Sequence, residues 1–175
     1  MGNGTVSVGW TERWTITAGF AGCVICGVIG KLWLNGTAKN IIYAIASVGV
    51  LAGAALLGAV HAKADDVPGT AGLLLLAVAV AGMWTGSFAG GTMVLFVALI
   101  LAGLSGGFPI WARVASALSG LAFGVHTVRW LSGTWVYPGS KVVSAACILL
   151  AIAFLGRISS IWSREGPKGG APTEG

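Results

Sequence analysis

The chain has 175 residues, 56% of them hydrophobic and only 9% charged, with a net charge of +5. A soluble domain carries about 25% charged residues, so composition argues against a water-soluble globular domain, which could not hide so much apolar surface. The positive charge sits at helix ends and in short loops, where it reads as headgroup contact and topology setting rather than as a nucleic-acid footprint.

With the bilayer as solvent, backbone groups must be satisfied within the chain, by helices or by a closed barrel. A barrel would alternate in polarity over segments of about ten residues, and Gly72-Leu-Leu-Leu-Leu-Ala-Val-Ala-Val-Ala does not. The expected fold class is all-α: a polytopic α-helical integral membrane protein of the cell membrane with about six transmembrane helices, five being the alternative.

Residues 1–13 read as a short cytoplasmic N-terminus. The first apolar segment, Ile16–Leu34, follows Glu12-Arg13 rather than a basic cluster and has no small-residue cleavage site after it, so it is expected to remain as an anchor. The second runs over Ile41–Ala62. Val67–Ala112 then gives 46 residues without a charged side chain, enough for two crossings of a core about 30 Å thick. Ala89-Gly90-Gly91-Thr92 is the expected turn between a third segment, Ala71–Phe88, and a fourth, Thr92–Gly106.

The fifth segment, Pro109–Leu131, carries Arg113, His126 and Arg129. Its two arginines are about 24 Å apart along a helix rising 1.5 Å per residue, so both can snorkel to opposite interfaces. The sixth segment, Val142–Ile161, holds Arg157. Residues 14–162 form the expected transmembrane domain, and the Gly- and Pro-rich residues 163–175 a disordered polar tail. Tryptophans mark the borders: Trp10, Trp14 and Trp33 around the first segment, Trp84 late in the third, Trp111, Trp130 and Trp135 around the fifth, Trp162 closing the sixth, as indole rings at the headgroup level do.

With six spans, Arg13, Lys63, Arg113, Arg157, Arg164 and Lys168 share one side, and Lys31, Lys39, Arg129 and Lys141 the other. That bias places both termini in the cytoplasm.

Candidate sites are few. Cys23-Val-Ile-Cys26 has the spacing of a redox pair, but it lies in an apolar run, away from the water and cations that lower a thiol pKa. With Cys147 it reads as small packing residues. His61 and His126 fall at opposite ends of the bundle, too far apart to share one haem iron. His126 and Arg129 are one helical turn apart and share a face. As ionisable groups in a membrane segment they are, with Arg113, the candidate intramembrane polar site. Asp65 and Asp66, between Lys63 and Pro68, read as solvating a loop. No phosphate loop, nucleophile elbow, metal-ligand spacing or catalytic carboxylate pair is present, so no catalytic residue, metal or cofactor is expected. Asn3-Gly-Thr5 and Asn35-Gly-Thr37 match a glycosylation pattern by chance frequency.

Gly49/Gly53, Gly82/Gly86/Gly90, Gly103/Gly107 and Gly120/Gly124 fit G-x-x-x-G. With 29 glycines in the chain, the motif is no commoner than chance. It implies no specific dimer, only that helices this rich in Gly and Ala can approach closely, within one chain or between copies.

Little titratable chemistry lies in the apolar segments, which argues against an enzyme and against an ion-coupled transporter. High Gly, Ala and Val with little Lys suggests a GC-rich actinobacterial genome. Trp10-Thr-Glu-Arg-Trp14, the Val67–Ala112 hairpin and the basic end Arg157–Lys168 give a layout that resembles the spread and transfer membrane proteins of actinomycete conjugative plasmids. That resemblance implies a homo-oligomeric pore or scaffold assisting plasmid transfer beside a separate DNA-translocating ATPase, and it assigns no site residue. The absence of a long soluble DNA-binding region in these residues argues against direct nucleic-acid contact. A holin-like permeabilising protein and a small-solute transporter or its accessory subunit are the alternatives.

Overall fold

The computed structural model describes residues 8–32, 36–84, 88–133 and 141–163. All regular structure among them is helical: α1 (Trp10–Leu32), α2 (Gly36–Lys63), α3 (Val67–Trp84), α4 (Phe88–Leu104), α5 (Ile110–Leu131) and α6 (Lys141–Ser163). Asn3, Asn35, Trp33, Trp135, Gly86 and the tail beyond Ser163 lie outside the described residues. Three helices, α1, α2 and α6, are long and apolar enough to cross a membrane, while α3 and α4 are apolar but shorter.

Helix ends follow local chemistry more than the limits of the apolar runs. α1 begins at Trp10 rather than at Ile16. The Glu12 carboxylate accepts the Gly9 backbone N–H at 3.0 Å, and the Gly9 carbonyl accepts the Arg13 N–H, a reach-back cap from the third helical residue. α2 ends in a Schellman motif: the Asp66 N–H bonds the His61 carbonyl and the Asp65 N–H that of Ala62. Asp65 takes the left-handed position, φ 55°, which Asp tolerates better than most residues. Gly133, φ 67°, takes the equivalent position after α5, its N–H bonded to the Trp130 carbonyl.

The expected turn at Ala89–Thr92 is corrected. These residues are the first turns of α4, which starts at Phe88. Gly91 serves proximity: a Cβ there would stand 2.5 Å from the Met83 side chain and 3.1 Å from the Ala79 carbonyl of α3.

The helices run alternately up and down. Each packs on its chain neighbours, and α6 closes the circuit against α1. Every neighbour seam carries a glycine in close approach, Gly69 of α3 against His61 of α2 among them. Gly19 on α1 meets the Gly49 backbone of α2. A Cβ on Gly72 of α3 would lie 2.5 Å from the Ala102 nitrogen of α4. One on Gly103 of α4 would lie 3.1 Å from the Ala117 Cβ of α5, and one on Gly156 of α6 would collide with Ala112 of α5. Small residues let backbones approach to where dispersion and close contact hold helices together. The α1–α6 closure is aromatic instead. Phe20 stacks on Phe154 at 4.5 Å, Trp14 meets Trp162 edge-on at 5.3 Å, and Trp162 Nε1 donates to Thr17 Oγ1 at 3.0 Å.

Apolar side chains cover the outside of the bundle as well as filling its core. Large apolar side chains stand outward on every helix, among them Ile25, Val48 (68% exposed), Val78, Val97, Val125 and Ile148 (62% exposed). On α5 the outward stripe is Val114, Leu118, Leu121, Val125 and Val128, while Ser116, Ser119, His126 and Thr127 are buried. Its serines, His126 and Thr127 thus turn toward neighbouring helices, while Arg129 is exposed near the end of the helix.

Candidate functional site

The two ends of the bundle differ. At one, the near end, lie the start of α1, the α2–α3 and α4–α5 connections and the end of α6. The far end holds the start of α2, the start of α4 and the end of α5.

The near end carries the polar cluster. Asp66 caps α3: its Oδ1 accepts the Gly69 N–H at 3.2 Å, and its carbonyl accepts the Thr70 N–H at 2.9 Å, as an N-cap residue does. Pro68 in that first turn lacks an N–H that would have no partner. Asp66 Oδ2 faces His61 Nδ1 at 2.8 Å and accepts a very short bond from the Ser105 hydroxyl at the end of α4. Gly69 forms the floor, since a Cβ there would sit 2.6 to 2.8 Å from Asp66, His61 and Ser105 together. The expectation that Asp66 solvates a loop is overturned, because its carboxylate ties α2, α3 and α4 together. Burial alone would raise its pKa. The hydrogen bonds from Ser105, the Gly69 amide and His61, with the His61 charge, outweigh burial and hold the carboxyl below its ordinary range.

The cluster continues inward. The His61 ring lies 4.6 Å from Phe108 in the α4–α5 connection. Phe108 lies 4.9 Å from the Arg157 guanidinium carbon of α6, with Phe154 at 5.8 Å. Arg157 is 1% exposed and donates from Nη2 to Ser116 Oγ of α5 at 2.9 Å. This arrangement is not that of a hydrolase triad. The Ser105 hydroxyl bonds the carboxylate, whereas an activated serine gives its proton to an imidazole. Among the described residues no three His, Cys, Asp or Glu side chains are grouped for a metal, and all three cysteines are free thiols.

The three candidates from sequence are not brought together. Arg113 caps α4, donating from Nε to the Gly103 carbonyl at 3.0 Å and toward that of Leu104, where a cation also complements the helix dipole. His126 is buried near the far end and Arg129, one turn on, is exposed. Beside His126, the Thr127 hydroxyl is hydrogen-bonded to Thr92 Oγ1 of α4 at 2.9 Å. The residues sequence reasoning passed over are Asp66, Ser105, Phe108 and Arg157. One signal was available: Asp66-Val-Pro-Gly is an N-cap with Pro in the first turn. Nothing local paired residues about forty positions apart.

No protein-family model, curated protein or solved structure matches the chain.

Proposed function

We propose that the chain is a multi-pass integral membrane protein of the cell membrane, with all six helices crossing the bilayer, acting without catalysis as an oligomeric pore or scaffold. The observation that carries this reading is α5. Its apolar side chains face out and its Ser116, Ser119, His126 and Thr127 face in, an orientation that is favourable in lipid and unfavourable in water. Phe20 stacked on Phe154 and the buried side chains around them fill the interior. On this reading any passage runs between copies rather than through one. The resemblance to plasmid spread and transfer proteins supplies the setting, with the lipid bilayer, further copies and a DNA-translocating ATPase as partners.

Cysteine labelling tests the six-span topology. Cytoplasmic reaction of cysteines at both Ser7 and Thr173, in a background with the native cysteines replaced, is the expected result. Opposite sidedness would overturn it. Conductance in a planar bilayer tests the pore. Large, weakly selective steps are expected, and a silent bilayer with protein inserted would leave the scaffold alone.

A further inference from the structure

Arg157 is a cation enclosed by protein. Its side chain is among the largest of the fully buried ones, and the Nε and Nη1 atoms have no hydrogen-bond partner among the described residues. A guanidinium presents five N–H hydrogens and does not give up its charge. The hydrogen on Nε and the two on Nη1 are thus left without acceptors. An unpaired buried charge is strongly unfavourable, and groups of this kind inside a bundle mark binding or transport sites.

The neighbours do not balance it. Phe108 and Phe154 place ring carbons near the cation, which offsets part of the charge but accepts no conventional hydrogen bond. The Asp66 carboxylate is engaged by Ser105, His61 and the Gly69 amide, and it makes no ion pair with Arg157. Ser116 accepts from Nη2, which leaves its own hydroxyl hydrogen free to point at a further acceptor. The guanidinium hydrogens on Nε and Nη1 and the Ser116 hydroxyl hydrogen are therefore left without acceptors beside one unneutralised positive charge between α5 and α6.

We propose that Arg157 and Ser116 bind a small monovalent inorganic anion of the size of chloride inside the bundle, beneath Phe108. The guanidinium is too enclosed for a lipid headgroup, and its single charge matches a single halide. Phe108 comes from the α4–α5 connection rather than from a helix, and it is the wall that must move for the anion to enter. The inference stands independently of the pore reading.

The test uses the full chain in detergent micelles. Thermal unfolding is followed while sodium chloride replaces sodium gluconate at constant ionic strength. Chloride should raise the wild-type Tm saturably, by about 5 °C at a hundredfold excess over its dissociation constant. Arg157→Met should show no chloride response and should be at least as stable as wild type in gluconate. Ser116→Ala, which keeps the charge, should respond with a midpoint about tenfold higher, as for loss of one hydrogen bond. Equal wild-type Tm in chloride and gluconate would overturn the proposal, as would a chloride response kept by Arg157→Met or an unshifted midpoint in Ser116→Ala. Stabilisation by added phosphatidylglycerol but not by chloride would overturn it in favour of a lipid site. If Arg157→Met does not accumulate, the wild-type titration and the Ser116→Ala midpoint decide.

Discussion

The near and far ends of the bundle handle polar groups in different ways. At the near end, side chains from connections reach across the fold: Ser105 to Asp66, Phe108 to His61 and Arg157, Arg113 back to the end of α4. At the far end one contact joins two helices directly, Thr127 on Thr92, with Thr127 also bonded to the Phe123 carbonyl one turn back. The near end uses polar chemistry to fix how three helices and two connections meet. At the far end a hydroxyl pair adds to a seam that already closes on glycine. Substitutions that insert bulk or remove an acceptor should therefore cost far more at the near end.

The sharpest break of this contrast is a pair of glycine substitutions. Gly69→Ala drives a methyl group into Asp66, His61 and Ser105 and should destabilise by about 3 kcal/mol, the upper part of the overpacking range. Gly82→Ala, on the same helix toward the far end, meets nothing nearer than the Gly91 Cα at 3.9 Å. It should be neutral or gain up to about 1 kcal/mol from helix propensity. Chemical unfolding in micelles reads both, and equal losses would dissolve the distinction.

Removal of the shared acceptor comes next. Asp66→Ala loses a cap worth about 1 kcal/mol and leaves Ser105 and His61 without their carboxylate, for a total of about 2 kcal/mol. The same group sets an acid limit. The Asp66 pKa is lowered on folding, so its contribution is present above the unfolded carboxylate pKa of about 3.9 and is lost as pH falls through the lower folded value. Wild type should lose stability in that acid window more steeply than Asp66→Asn, measured as Tm against pH.

The far-end substitutions should be small. Thr127→Val removes the hydroxyl that bonds Thr92, at a cost of about 0.6 kcal/mol, typical of a hydrogen bond between membrane helices. Arg129→Gln alters an exposed residue and should stay within about 0.5 kcal/mol of wild type. A larger loss there would show that the far end holds a polar centre of its own.

Segment five shows how much periodicity can reveal. Its low hydropathy made it the weakest of the six expected segments, and it forms a continuous 22-residue helix, α5, packed between α4 and α6. The helix was legible in the spacing, since Val114, Leu118, Leu121, Val125 and Val128 recur at helical intervals on one face. Asp66 shows the opposite case. Two adjacent aspartates before a proline look like a wet loop, yet one takes a left-handed turn and the other caps a helix and gathers partners from two more. Gly91 carried a turn signal that was really a packing signal, because both uses select for the missing side chain.

Composition and patterning alone determined that the chain is helical, that it has about six segments, and that its outer surface is apolar. These properties come from counting charges and from periods of three to four residues, which are local quantities. Tertiary structure decided which polar groups meet. Arg157 meets Ser116 across 41 positions and Ser105 meets Asp66 across 39. The up-and-down order of the helices brings those residues to one end, because each pair sits on antiparallel neighbours, α5 with α6 and α3 with α4, whose register is fixed by packing rather than by the local sequence.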